Sequence, residues 1–97
     1  MATYILLMKY TDEGVKNIKD LPRRIQQAAE GGEKMGGKII SLYPVMGEYD
    51  YVCIAEFPDD ETTMTYSLVL SSLGNVRITT LKAFTPEWLI EIVKKLP

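Results

Sequence analysis

Two short runs of apolar residues constrain the fold more than any other feature of this chain. Residues 4–8 (YILLM) and 51–57 (YVCIAEF) are apolar at nearly every position. Successive side chains of a β-strand point to opposite faces of the sheet, so strands of this kind need apolar cover on both faces. A chain of 97 residues supplies only enough helices to cover one face of a small sheet. We therefore expect the other face to meet a second copy of the chain.

The length and composition predict one domain over residues 1–97. The hydrophobic fraction of 46% and the charged fraction of 25% are typical of a soluble globular chain. The single cysteine, Cys53, excludes an intramolecular disulfide, and its place in an apolar strand favours an inert, buried thiol. No apolar run approaches 18 residues and no signal peptide is visible. We therefore expect a cytoplasmic protein without a membrane partner.

Several classes of chemistry are excluded by the residues that the chain lacks. Without histidine there is no Ser-His-Asp triad, no Cys-His dyad and no imidazole proton shuttle. Zinc, copper and haem lose their usual ligands, and no calcium-loop spacing is present, so the sequence predicts neither a metal site nor a cofactor. The net charge is −2, with basic and acidic residues interspersed. Nucleic acid is therefore not an expected partner, because its binding normally requires a concentrated basic surface.

The order of the predicted elements defines a topology. Helices are expected from residues 20–22 to Gly36, from residues 58–60 to Gly74, and from residue 85 onward, each with proline or an acidic residue near its start. The second of these carries an apolar stripe that consists of Tyr66, Val69, Leu70 and Leu73. Strands are expected near residues 2–10, 38–43, 50–57 and 75–84.

The resulting β-α-β-β-α-β order with a terminal helix is the split βαβ arrangement of ferredoxin-like folds. We therefore predict an α+β fold with an antiparallel four-stranded sheet in the order 4-1-3-2. Its two central strands are the two that are apolar on both faces, whereas the edge strands alternate with polar residues.

The uncovered sheet face predicts a homodimer or a higher oligomer. Its apolar area would exceed the few hundred Å² that a monomer normally exposes, about 300–600 Å² at most. The dimeric α+β barrel solves this problem by packing two sheets face to face. The alternative is a monomer in which the terminal helix folds over the open face; the same helix could instead reach onto the partner.

A candidate binding site lies where the ends of three strands meet in this topology. Its residues are Lys9 and Tyr10 at the end of the first strand, Tyr49 and Asp50 before the third, and Arg77 in the fourth. The two cations and a nearby helix start favour a bound carboxylate or another small anion. The alternative is a set of solvated charges and a local ion pair, in which Asp50 simply caps backbone amides.

The segment GEYD at residues 47–50 resembles the motif of the GYD domain family, and further segments extend the likeness over nearly all of residues 1–85. They are YTDEG (10–14), NIKD (17–20), PDDE (58–61) and SLGNVR (72–77). The resemblance implies a ferredoxin-like protein of the dimeric α+β barrel type without an established activity. Proteins with related folds include cofactor-free monooxygenases, lactone isomerases and ligand-sensing domains.

Three functions remain open at this stage. The first is a homo-oligomeric module that binds a small anionic or phenolic metabolite between sheet and helices. The second is a cofactor-independent enzyme of the monooxygenase or isomerase type, with Tyr49, Asp50 or Glu56 transferring protons. The third is a structural or interaction module without a ligand.

Overall fold

The computed structural model describes all 97 residues and confirms the predicted α+β, ferredoxin-like fold. Each strand starts and ends within one residue of the predicted bounds. The elements are β1 (Ala2–Tyr10), α1 (Asp12–Lys16), α2 (Leu21–Lys34), β2 (Lys38–Pro44), β3 (Tyr51–Phe57), α3 (Asp60–Ser72), β4 (Val76–Ala83) and α4 (Pro86–Val93). A short 3₁₀ turn, Ile18–Asp20, leads into α2.

The four strands form one antiparallel sheet in the order β2-β3-β1-β4, which is the predicted order read from the other edge. The centre of the sheet is therefore built from β1 and β3, as their apolar sequences require. In the register, Leu6 lies opposite Cys53 and Lys9 lies opposite Arg77.

One face of the sheet, the helix face, lies under α2 and α3 and carries the core. The buried residues of β1 on this face are Tyr4, Leu6 and Met8, and β3 contributes Cys53 and Phe57 among others. Leu6 and Phe57 have no exposed surface. The alternation of buried and half-buried positions along both strands shows that the side chains between them point to the other face.

The other face, the open face, is apolar at its centre but has no element of the chain over it. In the register, Ile5 lies between Ile54 and Leu81, while Leu7 lies opposite Val52. The side chain of Leu81 is 43% exposed, and the other four are half-buried by their neighbours alone. The open face is therefore a continuous aliphatic surface across three strands.

Helix α4 does not cover the open face. None of its residues is buried, and Trp88 and Leu89 are 48% and 55% exposed. The start of the helix agrees with the prediction, because the Thr85 hydroxyl accepts a hydrogen bond from the Trp88 amide at 3.1 Å. The indole stacks on Phe84, with 4.1 Å between ring centroids. The monomer in which this helix seals the sheet is thus not the conformation of the chain.

Two helix starts use their first side chains differently. Helix α1 begins after Thr11, whose side chain accepts a hydrogen bond from the Gly14 amide at 3.1 Å. Asp20 lies at the start of α2, but its carboxylate makes no capping bond and pairs instead with Arg23 in the following turn.

The helices of the chain are all too short or too polar to span a lipid bilayer.

Candidate functional site

A cavity, the helix–sheet cleft, lies between α2, α3 and the helix face. Its volume is about 350 Å³, and 15 of the 18 residues that line it are hydrophobic. Small-molecule sites in proteins typically measure about 300–1,000 Å³ and have mostly apolar walls with a few polar groups. The cleft therefore has the size and character of a site for a small ligand.

The cleft exists because α3 packs on the sheet through small and polar residues. Thr63 and Ser67 are buried against the sheet, and the Ser67 hydroxyl lies 2.8 Å from that of Thr80 on β4. The predicted apolar stripe was therefore only partly right: Tyr66 is buried and Leu70 is half-buried, but other members of the stripe are not.

Val69 and Leu73 are 50% and 66% exposed, and both line the cleft. These two residues would have been core residues if the helix had packed on its most apolar side. Instead they form one wall of the cavity.

Helix α2 forms the opposite wall with small residues. Ala28, Ala29 and Gly31 line the cleft, and the Tyr66 hydroxyl of α3 donates a hydrogen bond to the Ala28 carbonyl at 2.7 Å. A Cβ added at Gly31 would meet no heavy atom within 4 Å. The space beside this glycine is therefore open.

A pair of tyrosines lies where the cleft meets the ends of the strands. The Tyr10 and Tyr51 hydroxyl oxygens are 2.6 Å apart, and the rings meet edge to face with 5.5 Å between centroids. Burial, followed by the hydrogen bond with Tyr10, raises the pKa of Tyr51 far above its usual value. The Tyr51 phenol therefore keeps its proton at neutral pH.

Arg24 of α2 is the one charged residue in the lining of the cleft. Its Nη2 donates to the carbonyl oxygens of Asn17 at 3.0 Å and Gly14 at 3.4 Å, which anchor the guanidinium. Its Nε is buried and has no hydrogen-bond partner. No carboxylate lies within 4 Å of this guanidinium, because the nearby Asp20 pairs with Arg23 instead.

The structure brings the five predicted site residues to one end of the sheet. Lys9 lies opposite Arg77 in the register, and its Nζ is 5.5 Å from the centre of the Tyr49 ring. The Asp50 carboxylate accepts a hydrogen bond from the Tyr10 amide at 2.9 Å. Asp50 thus caps a backbone amide, as the more conservative interpretation of the sequence expected.

The same five residues do not, however, form one constellation. Lys9 and Arg77 are exposed on the open face, whereas the Tyr10 hydroxyl lies on the helix face with Tyr51. Adjacent residues of a strand necessarily point to opposite faces. Neither Lys9 nor Arg77 forms an ion pair with an acidic side chain.

None of the five candidate residues lines the cleft, and Arg24, its one charged residue, was not among them. It is located three residues after Leu21 and four before Ala28, and both of those residues line the cleft. Residues at these spacings share one face of a helix. A single arginine in an otherwise apolar helical row is the feature that could have identified it.

The motif at residues 47–50 has a structural role at this end of the sheet. Gly47 has a positive φ of 118°, which residues with a side chain rarely adopt. After this turn the Asp50 carbonyl accepts from the Val45 amide at 3.0 Å, while its carboxylate binds the Tyr10 amide. The motif thereby closes the connection from β2 to β3 and ties it to β1.

Cys53 behaves as the sequence predicted. It is buried on the helix face, and burial raises the pKa of its thiol to about 11. A thiol of this kind is protonated at neutral pH and is a poor nucleophile. Within the chain, no three acidic, cysteine or histidine side chains come together as a metal site would require.

The fold and the cleft define a class of protein, namely small ferredoxin-like domains with a ligand-sized cavity between helices and sheet. The GYD domain family matches residues 4–93. The chain is also 34% identical, over 95 residues, to the "glutamine synthetase and cystathionine beta-lyase binding protein" of Thermus thermophilus; this match covers 97% of the chain and all of the relative. The chain therefore belongs to the GYD domain family, as the motifs indicated.

Solved structures with the same fold include a regulator and a small protein of Thermus thermophilus. The feast or famine regulatory protein of Mycobacterium tuberculosis, solved with L-methionine, superposes with a TM-score of 0.66 at 18% identity over 88% of the chain. The chain spans about half the length of that regulator, 51%. The protein TTHA0845 of Thermus thermophilus superposes with a TM-score of 0.57 at 25% identity, over 88% of this chain and 95% of that one.

Proposed function

We propose that this protein is a homo-oligomeric binding module whose ligand is a small anionic or phenolic metabolite held in the helix–sheet cleft. The observation that carries the proposal is the cleft itself. It is about 350 Å³ in volume, apolar in most of its walls, and lined also by Arg24 and by Tyr51, whose hydroxyl is hydrogen-bonded to Tyr10. Mostly apolar walls with a few polar groups are what a small ligand requires for affinity and orientation.

The open face and α4 support the proposed self-association. The aliphatic centre of the open face and the exposed residues of α4 form apolar surface of the kind that marks a protein interface. A second copy that packs its own open face against the first would cover both sheets. The same copy would offer a surface to Trp88 and Leu89 of α4.

Two variants of Gly31 test the ligand proposal. Gly31→Leu places a side chain into the open space of the cleft, whereas Gly31→Ala adds one methyl group and leaves most of the volume free. Both remove a glycine from the interior of α2, which should stabilise the helix by about 0.5–1 kcal/mol. We expect small carboxylates and phenols to raise the melting temperature of the wild type and of Gly31→Ala, but not that of Gly31→Leu.

The same ligand panel also tests the predicted anion site at Lys9 and Arg77. These two cations lie opposite each other without an acidic partner, which is unfavourable unless an anion lies between them. If Arg77→Ala abolishes the thermal shift and Gly31→Leu retains it, the ligand binds at this end of the open face and the cleft proposal is wrong. If no compound of the panel raises the melting temperature, both the cleft proposal and the anion site at Lys9 and Arg77 are wrong.

The second candidate function is a module that binds metabolic enzymes. It is favoured by the relative whose name describes binding to glutamine synthetase and cystathionine beta-lyase. In this chain the exposed Trp88 and Leu89 of α4 and Met64 and Leu68 of α3 offer apolar contacts for a protein surface. Titration of glutamine synthetase and cystathionine β-lyase from the same organism, followed by calorimetry, tests it. We expect saturable binding that Leu68→Ser weakens; no heat with either enzyme would reject it.

A further inference from the structure

The four charged residues that the strands place on the open face are divided between its two ends. Residues directly opposite each other in adjacent strands share a face, so the register assigns these residues. At one end, Lys9 of β1 lies opposite Arg77 of β4. At the other end, Glu56 of β3 lies between Thr3 and Lys38. Glu56 is therefore the one acidic side chain of the strands on this face.

None of these four charges forms an ion pair within the chain. The ion pairs of the chain join other residues, and Lys38 does not come within 4 Å of the Glu56 carboxylate opposite it. Glu56 is half-buried, whereas Lys9 and Arg77 are exposed. Like charges directly opposite each other in a sheet are destabilising, so the two cations lack a counter-charge. The open face thus has an unpaired acid at one end and two unpaired cations at the other.

The two ends lie at equal distances from the centre of the aliphatic surface. The acid lies beside Thr3 and the cations lie at Lys9, six residues further along β1, which is a distance of about 20 Å. The midpoint between them is Leu6, flanked by the open-face side chains of Ile5 and Leu7. A half-turn about an axis that crosses the strands at this midpoint therefore exchanges the acidic end with the cationic end and returns the aliphatic centre to its place.

Two identical sheets with aligned strands can pack face to face in two symmetric ways. The strands of the partner run either in the same direction, so that like ends meet, or in the opposite direction, so that unlike ends meet. In the first arrangement the cations of both copies gather at one end and both carboxylates at the other. In the second, an acid meets cations at each end. Because like charges across an interface are strongly unfavourable, the charges favour the second arrangement.

We propose that the open face binds a second copy of this chain whose strands run in the opposite direction, and that the Glu56 carboxylate of each copy pairs with Lys9 of the other, beside Arg77. This inference rests on the proposed function, namely on self-association through the open face. Lys38 lies one strand further from β1 than Glu56 does, so the carboxylate is the nearer group to the partner's Lys9. Charges at the rim and an apolar centre are the usual anatomy of a protein interface.

Charge reversals test the inference by sedimentation equilibrium on the full-length protein. Glu56→Lys and Lys9→Glu should each weaken association at least about tenfold, because a symmetric interface contains the pair twice. The double variant Glu56→Lys/Lys9→Glu again has opposite charges across the interface and should recover most of the wild-type affinity. Glu33→Lys and Lys19→Glu are the matched controls and should associate like the wild type, since both residues are exposed outside the sheet and form no ion pair.

The variant Lys9→Glu distinguishes the two arrangements, because it creates repulsion where unlike ends meet and removes repulsion where like ends meet. If this variant does not fold, Arg77→Glu tests the same end of the sheet. Stronger association of either variant, single variants that associate like the wild type, or a double variant no better than the single ones would overturn the opposed arrangement and leave self-association in place. If the wild type itself stays a monomer at every concentration, the homo-oligomer of the proposed function fails.

Discussion

The two faces of the sheet have similar apolar centres but very different cover. On the helix face, Leu6 and Phe57 are completely buried by the chain's own helices. On the open face, Ile5, Leu7 and Ile54 have equally apolar side chains, and only their neighbours in the sheet shield them. Because the residue types are alike, the difference arises from the number of helices that the chain can supply. We therefore propose that cover for the open face comes from another molecule.

The comparison also explains why the cleft lies on the helix face. Two helices suffice to bury the centre of that face, but they leave the cleft between them. There α3 contributes the exposed Val69 and Leu73, and α2 contributes alanine and glycine. The open face therefore lacks cover altogether, whereas the helix face is covered incompletely at one place.

The largest effect that tests this comparison comes from two neighbouring leucines in β1. Leu6→Ala removes a completely buried side chain, so the free energy of unfolding should fall by about 2–5 kcal/mol. That loss should be the same at every protein concentration, because the contacts lie within one chain. Leu7→Ala, on the open face, should lower stability by an amount that depends on protein concentration. Urea unfolding at two concentrations measures both.

If Leu7→Ala lowered the free energy of unfolding equally at both protein concentrations, the proposed difference between the two faces would be wrong. They would mean that both faces are stabilised within a single chain.

A smaller effect is expected from α4. Leu89 is 55% exposed in the chain, and full burial of a leucine contributes about 1.5–3 kcal/mol. Leu89→Ser should therefore weaken self-association about tenfold or more, as measured by sedimentation equilibrium. Glu91→Ser on the same helix is the control, since Glu91 is exposed and pairs only with Lys94. If both variants associate like the wild type, α4 takes no part in the interface.

The smallest expected effect is a pH dependence of the free energy of unfolding, which arises from residues on the helix face. Burial raises the pKa of the Cys53 thiol from 9.0 to about 11 and that of the Tyr66 phenol from 10.0 to about 12. A group whose pKa is higher in the folded chain stabilises it below the unfolded pKa, and that contribution is lost as the pH rises through the folded value. Unfolding free energies should therefore decrease between about pH 9 and pH 12.

Tyr66→Phe should make this alkaline decrease shallower while it loses the hydrogen bond to the Ala28 carbonyl. Tyr43→Phe, which changes a 56% exposed tyrosine, is the matched control and should keep the wild-type profile. An identical profile for Tyr66→Phe and the wild type would show that Tyr66 is not responsible for the pH dependence.

Much of the fold could be predicted from the sequence because two patterns coincide. The runs at 4–8 and 51–57 require central strands, and the order of the elements places the same strands at the centre. The ends of two helices at Gly36 and Gly74 could also be predicted, because glycine readily adopts the left-handed backbone that ends a helix. In the structure both glycines have positive φ angles, 82° and 87°. These features depend on the residue types at each position and on the spacing of the apolar residues, both of which can be read from the sequence.

The candidate site could be predicted only in part, because it depends on how helices pack. The topology brought Lys9, Tyr10 and Arg77 to one end of the sheet, but the pleat divides them between the two faces. The cleft arises because α3 packs through Thr63 and Ser67 rather than through its more apolar side. In that orientation the Ser67 hydroxyl meets the Thr80 hydroxyl of β4, a contact between distant residues that no periodicity in the sequence predicts.

The central claim is that the open face and α4 are covered by a second copy of this chain, and sedimentation velocity on the full-length protein tests it most directly. Over a range that starts in the low micromolar region, the wild type should sediment as a dimer or a larger oligomer. Leu7→Lys, which places a charge at the centre of the open face, should shift it to folded monomers. A wild type that sediments as one non-associating monomer at every concentration, indistinguishable from Leu7→Lys, would contradict the account.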